Sequence, residues 1–349
     1  MSFEAIVVDP LDAPLPEGWD RLVRDAGQSC LWRSNLLATL AWYDRYRPIV
    51  ALVQDPSGEP CAAFCARHVR MPGGRASFHD PRRRPRLGFL EFHLPPMVTM
   101  PGHVFHPSLE DSERQAVVLV AERALGARLG LGCRGFAYRQ VTTVDLPAFR
   151  RGAHLVLTAS PDEVVEIRWD DFDAYLGDLP GQDRRELVRI RRIVDRDETL
   201  DISLGTSLDS AEASCLAHFV RMRYRSRLRV GVSAPAAYLD RLCGLDGVHF
   251  ITYRERSGEL QAFGALADDG VSVRSLLWGT RERADGGRAN LYFDHFLREV
   301  EYCIANGRRR LVMGKAMSNI KRRYGAKPVE LYTATRPRPL TLTRREARG

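Results

Sequence analysis

Three lysines, Lys315, Lys321 and Lys327, stand in one stretch of a 349-residue chain, and the other 49 of its 52 Lys and Arg residues are arginines. Where a surface charge is all that is wanted the chain uses arginine, so the lysine cluster marks a place where a fork-shaped guanidinium would not serve. An ε-ammonium is compact, shifts its pKa when desolvated, and reaches a phosphate or a developing oxyanion without imposing planar geometry. A solvated turn after a strand would account for Lys315 and Lys327 equally well.

The segment from Leu291 reads as a helix with two stripes. Phe293, Phe296, Leu297, Val300 and Ile304 recur at helical spacing and face a core. Tyr292, His295, Glu299 and Tyr302 form a polar and aromatic stripe, in which His295 could accept a proton from an attacking amine near neutral pH. An imidazole half exposed and paired with Glu299 one turn on is the ordinary alternative. On the helix from Gly181, Arg185, Arg189 and Arg192 share one face, flanked by Arg184 and Arg191; such a stripe binds phosphates bidentately or is simply solvated. Gly286 and Gly287 lie in a turn before the helix at Leu291, where backbone amides can hold an anion. Trp278, at a strand end, could line an acceptor pocket with Tyr292 or fill the core. Arg322, beside Lys321, belongs to the same basic segment.

The length suits two domains, each with its own core. With 44% hydrophobic and 28% charged residues, the composition is that of a globular protein. No apolar run approaches the roughly 18 residues a membrane-spanning helix needs. The N-terminus lacks a basic region followed by an apolar one, so a cytoplasmic location is expected. Seven cysteines are scattered without C-x-x-C pairs and read as small buried hydrophobes. His93, His103 and His106 share a proline-rich loop without a metal-ligand pattern, and no metal is expected. The formal charge of +8 favours nucleic acid, an anionic cofactor or an acidic substrate without choosing among them.

The elements that must position these residues come in a repeated order. Helices over 17–27 and 33–44 precede strand-like runs at 49–54, 61–69 and 87–93; a helix to about Leu129, capped by Ser108 and Asp111, and a strand at 135–142 follow. Two short apolar runs, 155–157 and 164–167, are split by Ser160-Pro161-Asp162. After helices at 172–179 and 181–196 and a strand at 200–204, the order returns: helices at 209–226 and 234–243, strands at 248–254, 260–267 and 271–279, a helix at 291–306, a strand at 309–313. Ser57-Gly58-Glu59 and Ser257-Gly258-Glu259 fall in equivalent turns, and Ala62 and Ala262 match in the strands that follow. Two copies of an α-α-β-β-β-α-β module are expected.

Hairpins rather than crossovers join the middle strands, which excludes a doubly wound nucleotide fold and a barrel. The order resembles the GNAT acyltransferase fold. More specifically, Phe172-Asp173-Ala174-Tyr175-Leu176 with the arginine-rich helix from Gly181, and Ile320-Lys321-Arg322-Arg323-Tyr324-Gly325 after the closing helix and strand, resemble tandem-GNAT proteins of the FemABX-like group, which includes relatives in cellulose and peptidoglycan assembly. The implied fold is α/β (α+β): two tandem GNAT-like modules, each a mostly antiparallel mixed sheet flanked by helices. They would occupy residues 1–169 and 170–335, the second carrying the donor site, with a mobile basic tail at 336–349.

The resemblance implies transfer of an acyl group to a small-molecule amine acceptor, with aminoacyl-tRNA as donor and no tightly bound cofactor. Acetyl-CoA or another acyl-CoA is the alternative donor, and an inactive nucleic-acid-binding or scaffold protein the alternative class. Lys321 matches the family's lysine before an aromatic-glycine pair and is the expected oxyanion or phosphate contact, with Lys315, Arg322, Gly286, Gly287 and the Arg185 stripe on the donor. Arg288 stands where a CoA-binding loop of this fold carries a small residue, which weighs against CoA.

Overall fold

The computed structural model describes residues 2–28, 30–43, 48–70, 87–94, 100–150, 154–223 and 235–338. The arginine run at Arg82–Arg86 and the tail beyond Arg338 lie outside them. In chain order the elements are β1 (Glu4–Val8), α1 (Trp19–Asp25), α2 (Ser34–Tyr43), β2 (Pro48–Gln54), β3 (Pro60–Arg70), β4 (Gly88–Leu94), β5 (Met100–Pro101), β6 (His103–Phe105), α3 (Asp111–Leu129), β7 (Cys133–Val141), α4 (Leu146–Arg150) and β8 (Leu155–Glu166). Then come α5 (Phe172–Asp178), α6 (Gly181–Asp195), β9 (Leu200–Gly205), α7 (Ser210–Arg223), α8 (Ala236–Cys243), β10 (Val248–Glu255), β11 (Leu260–Asp268), β12 (Ser272–Thr280), α9 (Leu291–Ala305), β13 (Arg310–Gly314), α10 (Ser318–Arg322) and β14 (Lys327–Pro337).

The repeat is visible down to single hydrogen bonds. In the β2–β3 turn the Asp55 amide donates to the Glu59 carbonyl and the Gly58 amide to Asp55; in the β10–β11 turn Glu255 donates to Glu259 and Gly258 to Glu255. Gly58 and Gly258 have φ of 86° and 92°, a left-handed turn position that glycine occupies without steric penalty.

One mixed sheet runs through the whole molecule in the order β1-β2-β3-β4-β7-β14-β8-β13-β12-β11-β10-β9, with β5 on β4 and β6 on β3. The two modules are mirrored about its centre, and their closing strands are exchanged. β8 follows the first module but pairs with β13 of the second, while β14 follows the second and pairs with β7 of the first. β8 and β14 pair with each other. The break expected at Ser160-Pro161-Asp162 does not occur: β8 is continuous, and its register slips by one residue opposite Val329–Leu331. A bulge absorbs the proline that could not donate to the ladder. β14 is a strand beyond those expected; it starts at Lys327, for which a solvated turn is an equal reading of the sequence, and Arg336 and Pro337, expected in a mobile tail, close it. Helix α3 is capped by a box of Glu110 and Glu113 rather than by Ser108 and Asp111.

Helices lie on both faces. On one, α1 and α2 meet α7 and α8 over β2, β3, β10 and β11 in a single apolar core that includes Trp19, Trp32, Leu216 and Leu239. On the other, each module keeps its own core, one under α3 around Phe92 and Tyr138 and one under α6 and α9 around Tyr175, Leu187 and Phe296. Leu187, Ile190 and Val194 of α6 are buried as its helical spacing demands, each such side chain contributing about 1.5–3 kcal/mol.

The modules differ at their parallel junctions. In the first, β4 and β7 stay paired from Gly88 to Phe92, the Phe92 and Tyr138 rings stack at 4.1 Å, and Glu91 bridges to Arg139 at 2.6 Å. In the second, β12 and β13 pair only over Ser272–Arg274 and then diverge. Burial pushes the Glu91 carboxyl up, but hydrogen bonds and charges from His93 and Arg139 outweigh it and hold the pKa near about 2, below the ordinary 4.5. A depressed carboxylate pKa stabilises the fold above 4.5 and loses that contribution as the pH falls towards 2. Thermal unfolding between these pH values should therefore lose stability on the order of 3 kcal/mol through this group, and Glu91→Gln should flatten that part of the profile.

Candidate functional site

The opening between β12 and β13 follows from local irregularities. A register shift leaves Leu276 of β12 as an extra residue opposite β11, and another leaves Met313 of β13 extra opposite β8. β13 then ends at Gly314, with φ of 77°. Beyond Arg274 the backbone groups of β12 on the side away from β11 have no strand partner among the described residues. Such groups need partners when buried, and they are preorganised donors for a carbonyl oxygen that enters.

Lys321 sits at the end of this opening. Its Nζ donates to the carbonyls of Met313 at 2.5 Å and Gly314 at 3.0 Å, and the side chain is buried. Burial pulls its pKa below the ordinary lysine value, opposed by Glu299, Asp162 and Glu163. An ammonium has three hydrogens, so one donor remains. Lys321 thus fastens the bulged strand end, a role its sequence position did not announce. Lys315 donates to the Ser160 carbonyl of β8 at 2.6 Å, and Arg322 reaches Glu163 at 3.3 Å, so both hold the seam between β13 and β8. Lys327 begins β14.

His295 is not half exposed: it is 1% exposed and its ring lies on the backbone of β11 at Gly264. A Cβ at Gly264 would fall 1.8 Å from the imidazole, so only glycine leaves room for it. The ring centroid stands 4.9 Å from that of Trp278, which in turn packs at 5.6 Å against Tyr292. Glu299, fully buried, comes within 3.0 Å of the His295 Nε2, yet the angles make no hydrogen bond, and both imidazole nitrogens and both Glu299 oxygens lack a partner. Glu163, also fully buried, has an unpartnered Oε2. A buried polar row therefore starts with His295 over β11, runs through Glu299 and Lys321, and reaches Glu163 on β8, on the face covered by α9 and α10. Unpaired buried acceptors are costly unless water, a proton or a ligand supplies the missing donor.

The α9 N-terminus is less open than the sequence suggests. Gly287 is pressed against the Arg281 carbonyl, and its amide donates to Glu282 at 2.7 Å. Gly286, at φ 83°, makes the turn. Arg288 is drawn away to Asp197 and Glu255, and Asp294 brings a buried carboxylate into the first turn of α9. The arginine stripe on α6 is also divided. Arg189 is held by Glu186 and Arg185 donates to Gly181, whereas Arg192 has no side-chain partner among the described residues. Tyr175 donates to the Tyr324 carbonyl at 3.2 Å and Tyr324 to that of Phe293 at 2.8 Å, tying α5 and α9 to the segment after Lys321.

Asp162, Glu163, Arg274 and Gly264 carried no signal in the sequence, because each acquires its meaning from a strand distant in the chain. Arg274 Nη1 stands 3.5 Å from Asp162, and burial lowers its pKa. His103 and His106, two of the three histidines of the proline-rich loop, bond to Asp145 and Ser108.

No protein-family model matches the sequence, and no curated protein matches it. Among solved structures the chain is similar to L-PGS from Bacillus licheniformis, with 13% identity over 94% of each chain and a TM-score of 0.61. It is similar to FemX, with 8% identity over 92% of this chain and 96% of that one and a TM-score of 0.59. The C-terminal domain of an assigned lysylphosphatidylglycerol synthetase from Agrobacterium fabrum matches with 13% identity over 91% and 90% and a TM-score of 0.56. At these identities the likeness is one of fold, and the tandem GNAT-like fold of the FemABX type, expected from the order of elements, is the fold observed.

The fit of His295 over Gly264 is directly testable. Gly264→Ala should cost about 2–3 kcal/mol in urea unfolding through overpacking, and a double-mutant cycle with His295→Ala should show that most of this cost disappears when the ring is removed. Additive effects would place the ring elsewhere.

Proposed function

We propose that the chain is an N-acyltransferase that moves an acyl group, in the favoured form an aminoacyl group carried by a tRNA, to a small amine acceptor. The observation that carries this reading is the difference between the two parallel junctions: β4 and β7 remain paired through Phe92 and Tyr138, while β12 and β13 part after Arg274 and Val312. Among the described residues, the second module alone offers backbone donors along a gap in the sheet.

The chemistry needs little more. The acyl carbonyl lies along β12, the amine nitrogen attacks it, and the oxygen takes on negative charge facing the free amides. The nitrogen gives up a proton as the ester bond to the carrier breaks, and the departing oxygen takes one. His295, with Glu299 beside it, is the proton acceptor in this scheme, and Trp278 with Tyr292 forms the acceptor-side wall. Lys321 is a positioning residue that keeps the strand end apart, its remaining hydrogen available to an anionic group. Alignment of two reactants alone supplies a large part of the acceleration.

Several features support tRNA over acyl-CoA as donor. Arg288 is engaged with Asp197 and Glu255, Gly287 closes on the Arg281 carbonyl, and the acidic residue in the first turn of α9 is the buried Asp294. The net charge of +8 and the exposed Arg185 and Arg189 suit a polyanion. The name of the Agrobacterium neighbour, a lysylphosphatidylglycerol synthetase, denotes an enzyme that makes an aminoacyl product.

The test is retention of charged and uncharged bulk tRNA at two salt concentrations, beside calorimetry with acetyl-CoA. We expect tRNA retention that weakens steeply with salt and no heat from acetyl-CoA. Aminoacyl transfer to added amines should fall by about 10²-fold in Lys321→Met, with retention nearly unchanged. Stoichiometric acetyl-CoA binding without tRNA retention would overturn the donor assignment, and retention without any transfer would leave a nucleic-acid-binding protein.

A further inference from the structure

A cavity of about 350 Å³ lies in the groove between α5, α6 and α9, on the side of α9 turned away from His295. Its apolar lining comes from Phe172, Leu176, Leu187, Val188 and Leu297. Leu187 and Leu297 are the buried floor, whereas Phe172, Leu176 and Val188 remain partly exposed. Apolar surface left open in this way is what a ligand with an apolar body covers.

The polar part of the lining is basic. Asp195, the carboxylate present, is taken up by two guanidiniums, receiving Arg191 Nε at 2.9 Å and Arg298 Nη2 at 2.6 Å. Arg191 also donates through Nη2 to Glu301 at 2.7 Å, and its carbon stands 5.8 Å from the Phe172 ring centroid. Its remaining nitrogen, Nη1, is buried and has no partner. At the rim Arg192 and Arg196 are exposed and have no side-chain partner among the described residues. One unpartnered buried donor and two unengaged guanidiniums thus surround an apolar floor.

We propose that this groove is a binding site for a small amphipathic anion, a free molecule with one apolar body that fills the cavity and one carboxylate-like head that meets the exposed guanidiniums of Arg192 and Arg196 at its rim. The head supplies the acceptor that Arg192 and Arg196 lack among the described side chains, and charge-assisted hydrogen bonds of this kind are the strong ones. The volume is at the small end for ligand sites, which selects a single short chain or ring system. The site is separate from the acyl-transfer reading: His295 and Glu299 point from α9 to the sheet, while Leu297, which floors the groove, points to α6, as helical geometry requires.

The probe is 8-anilinonaphthalene-1-sulfonate, an apolar ring system with an anionic head, titrated by fluorescence into the full chain. Decanoate, decanol, inorganic phosphate, bulk tRNA and phosphatidylglycerol vesicles serve as competitors. We expect one probe per chain, displaced by decanoate at least about tenfold more tightly than by decanol, since the head contributes a charge-assisted bond. Inorganic phosphate alone should not displace it. The double variant Arg192→Glu, Arg196→Glu should weaken the probe and decanoate by more than about tenfold with an unchanged thermal midpoint, because both side chains are at the surface. Val188→Trp, which fills the cavity and keeps the charges, should also abolish binding. The proposal falls if decanol competes as well as decanoate, or if neither variant changes affinity. It also falls if tRNA displaces the probe, which would put the groove on the donor path, or if vesicles do so while decanoate does not.

Discussion

The pairing of β8 with β14 is the constraint on which the rest of the molecule depends. Each of these strands belongs by chain order to one module and by hydrogen bonding to the other, so the sheet is continuous only because both have crossed. On one face the crossing is reinforced by the shared core of α1, α2, α7 and α8. The other face keeps two separate cores, and there the buried polar row runs from β11 to β8 beneath α9 and α10. Its members come from both ends of the exchange: Glu163 from β8, Lys321 from the link into β14.

The two copies of one order of elements differ in structure at their parallel junctions. Both copies retain the same turn hydrogen bonds at Gly58 and Gly258, yet at the equivalent parallel junctions one is sealed by stacked rings and an ion pair and the other is held apart. Bulges at Leu276 and Met313 turn backbone groups out of the ladder, and Lys321 satisfies the two carbonyls released at the end of β13. A glycine at 264 makes space for an imidazole that a Cβ would exclude. Small backbone adjustments, each costing little, separate an open copy from a closed one.

Much of this was legible in the sequence because it is local. Helical spacing over α6 and α9, turn residues between β10 and β11, and the order of elements all state their own geometry, and the expected spans match to within a few residues. The exceptions share a cause. Pro161 looked like a strand breaker, but a bulge between two partners tolerates it. In residues 327–337 the strand-forming run Val329-Glu330-Leu331-Tyr332-Thr333 is flanked by Pro328 and Pro337, and it forms a central strand because β7 and β8 offer edges on both sides. His295 is buried rather than half exposed because Gly264, thirty-one positions earlier, leaves a hole in the sheet. The glycine turn before α9 has the composition of an anion cradle, while Arg288 and Asp294 spend its charge on neighbours that only the fold brings near. Long-range pairing is what composition and periodicity do not encode.

The exchange of closing strands also orders events in time. β14 lies between β7 and β8, so the edge of β7 stays open until Lys327–Pro337 have been made. The first half of the protein cannot complete its sheet as it emerges from the ribosome, although N-terminal domains ordinarily fold first during synthesis. Contacts such as Thr335 with Leu155 and Arg336 with Glu122 span much of the sequence, and pairings of that separation form slowly. Until they form, two strand edges are available for pairing with other chains. Yield in a heterologous host should accordingly depend on the speed of translation over the codons for Lys327–Pro337 and on chaperones that shield an unfinished sheet.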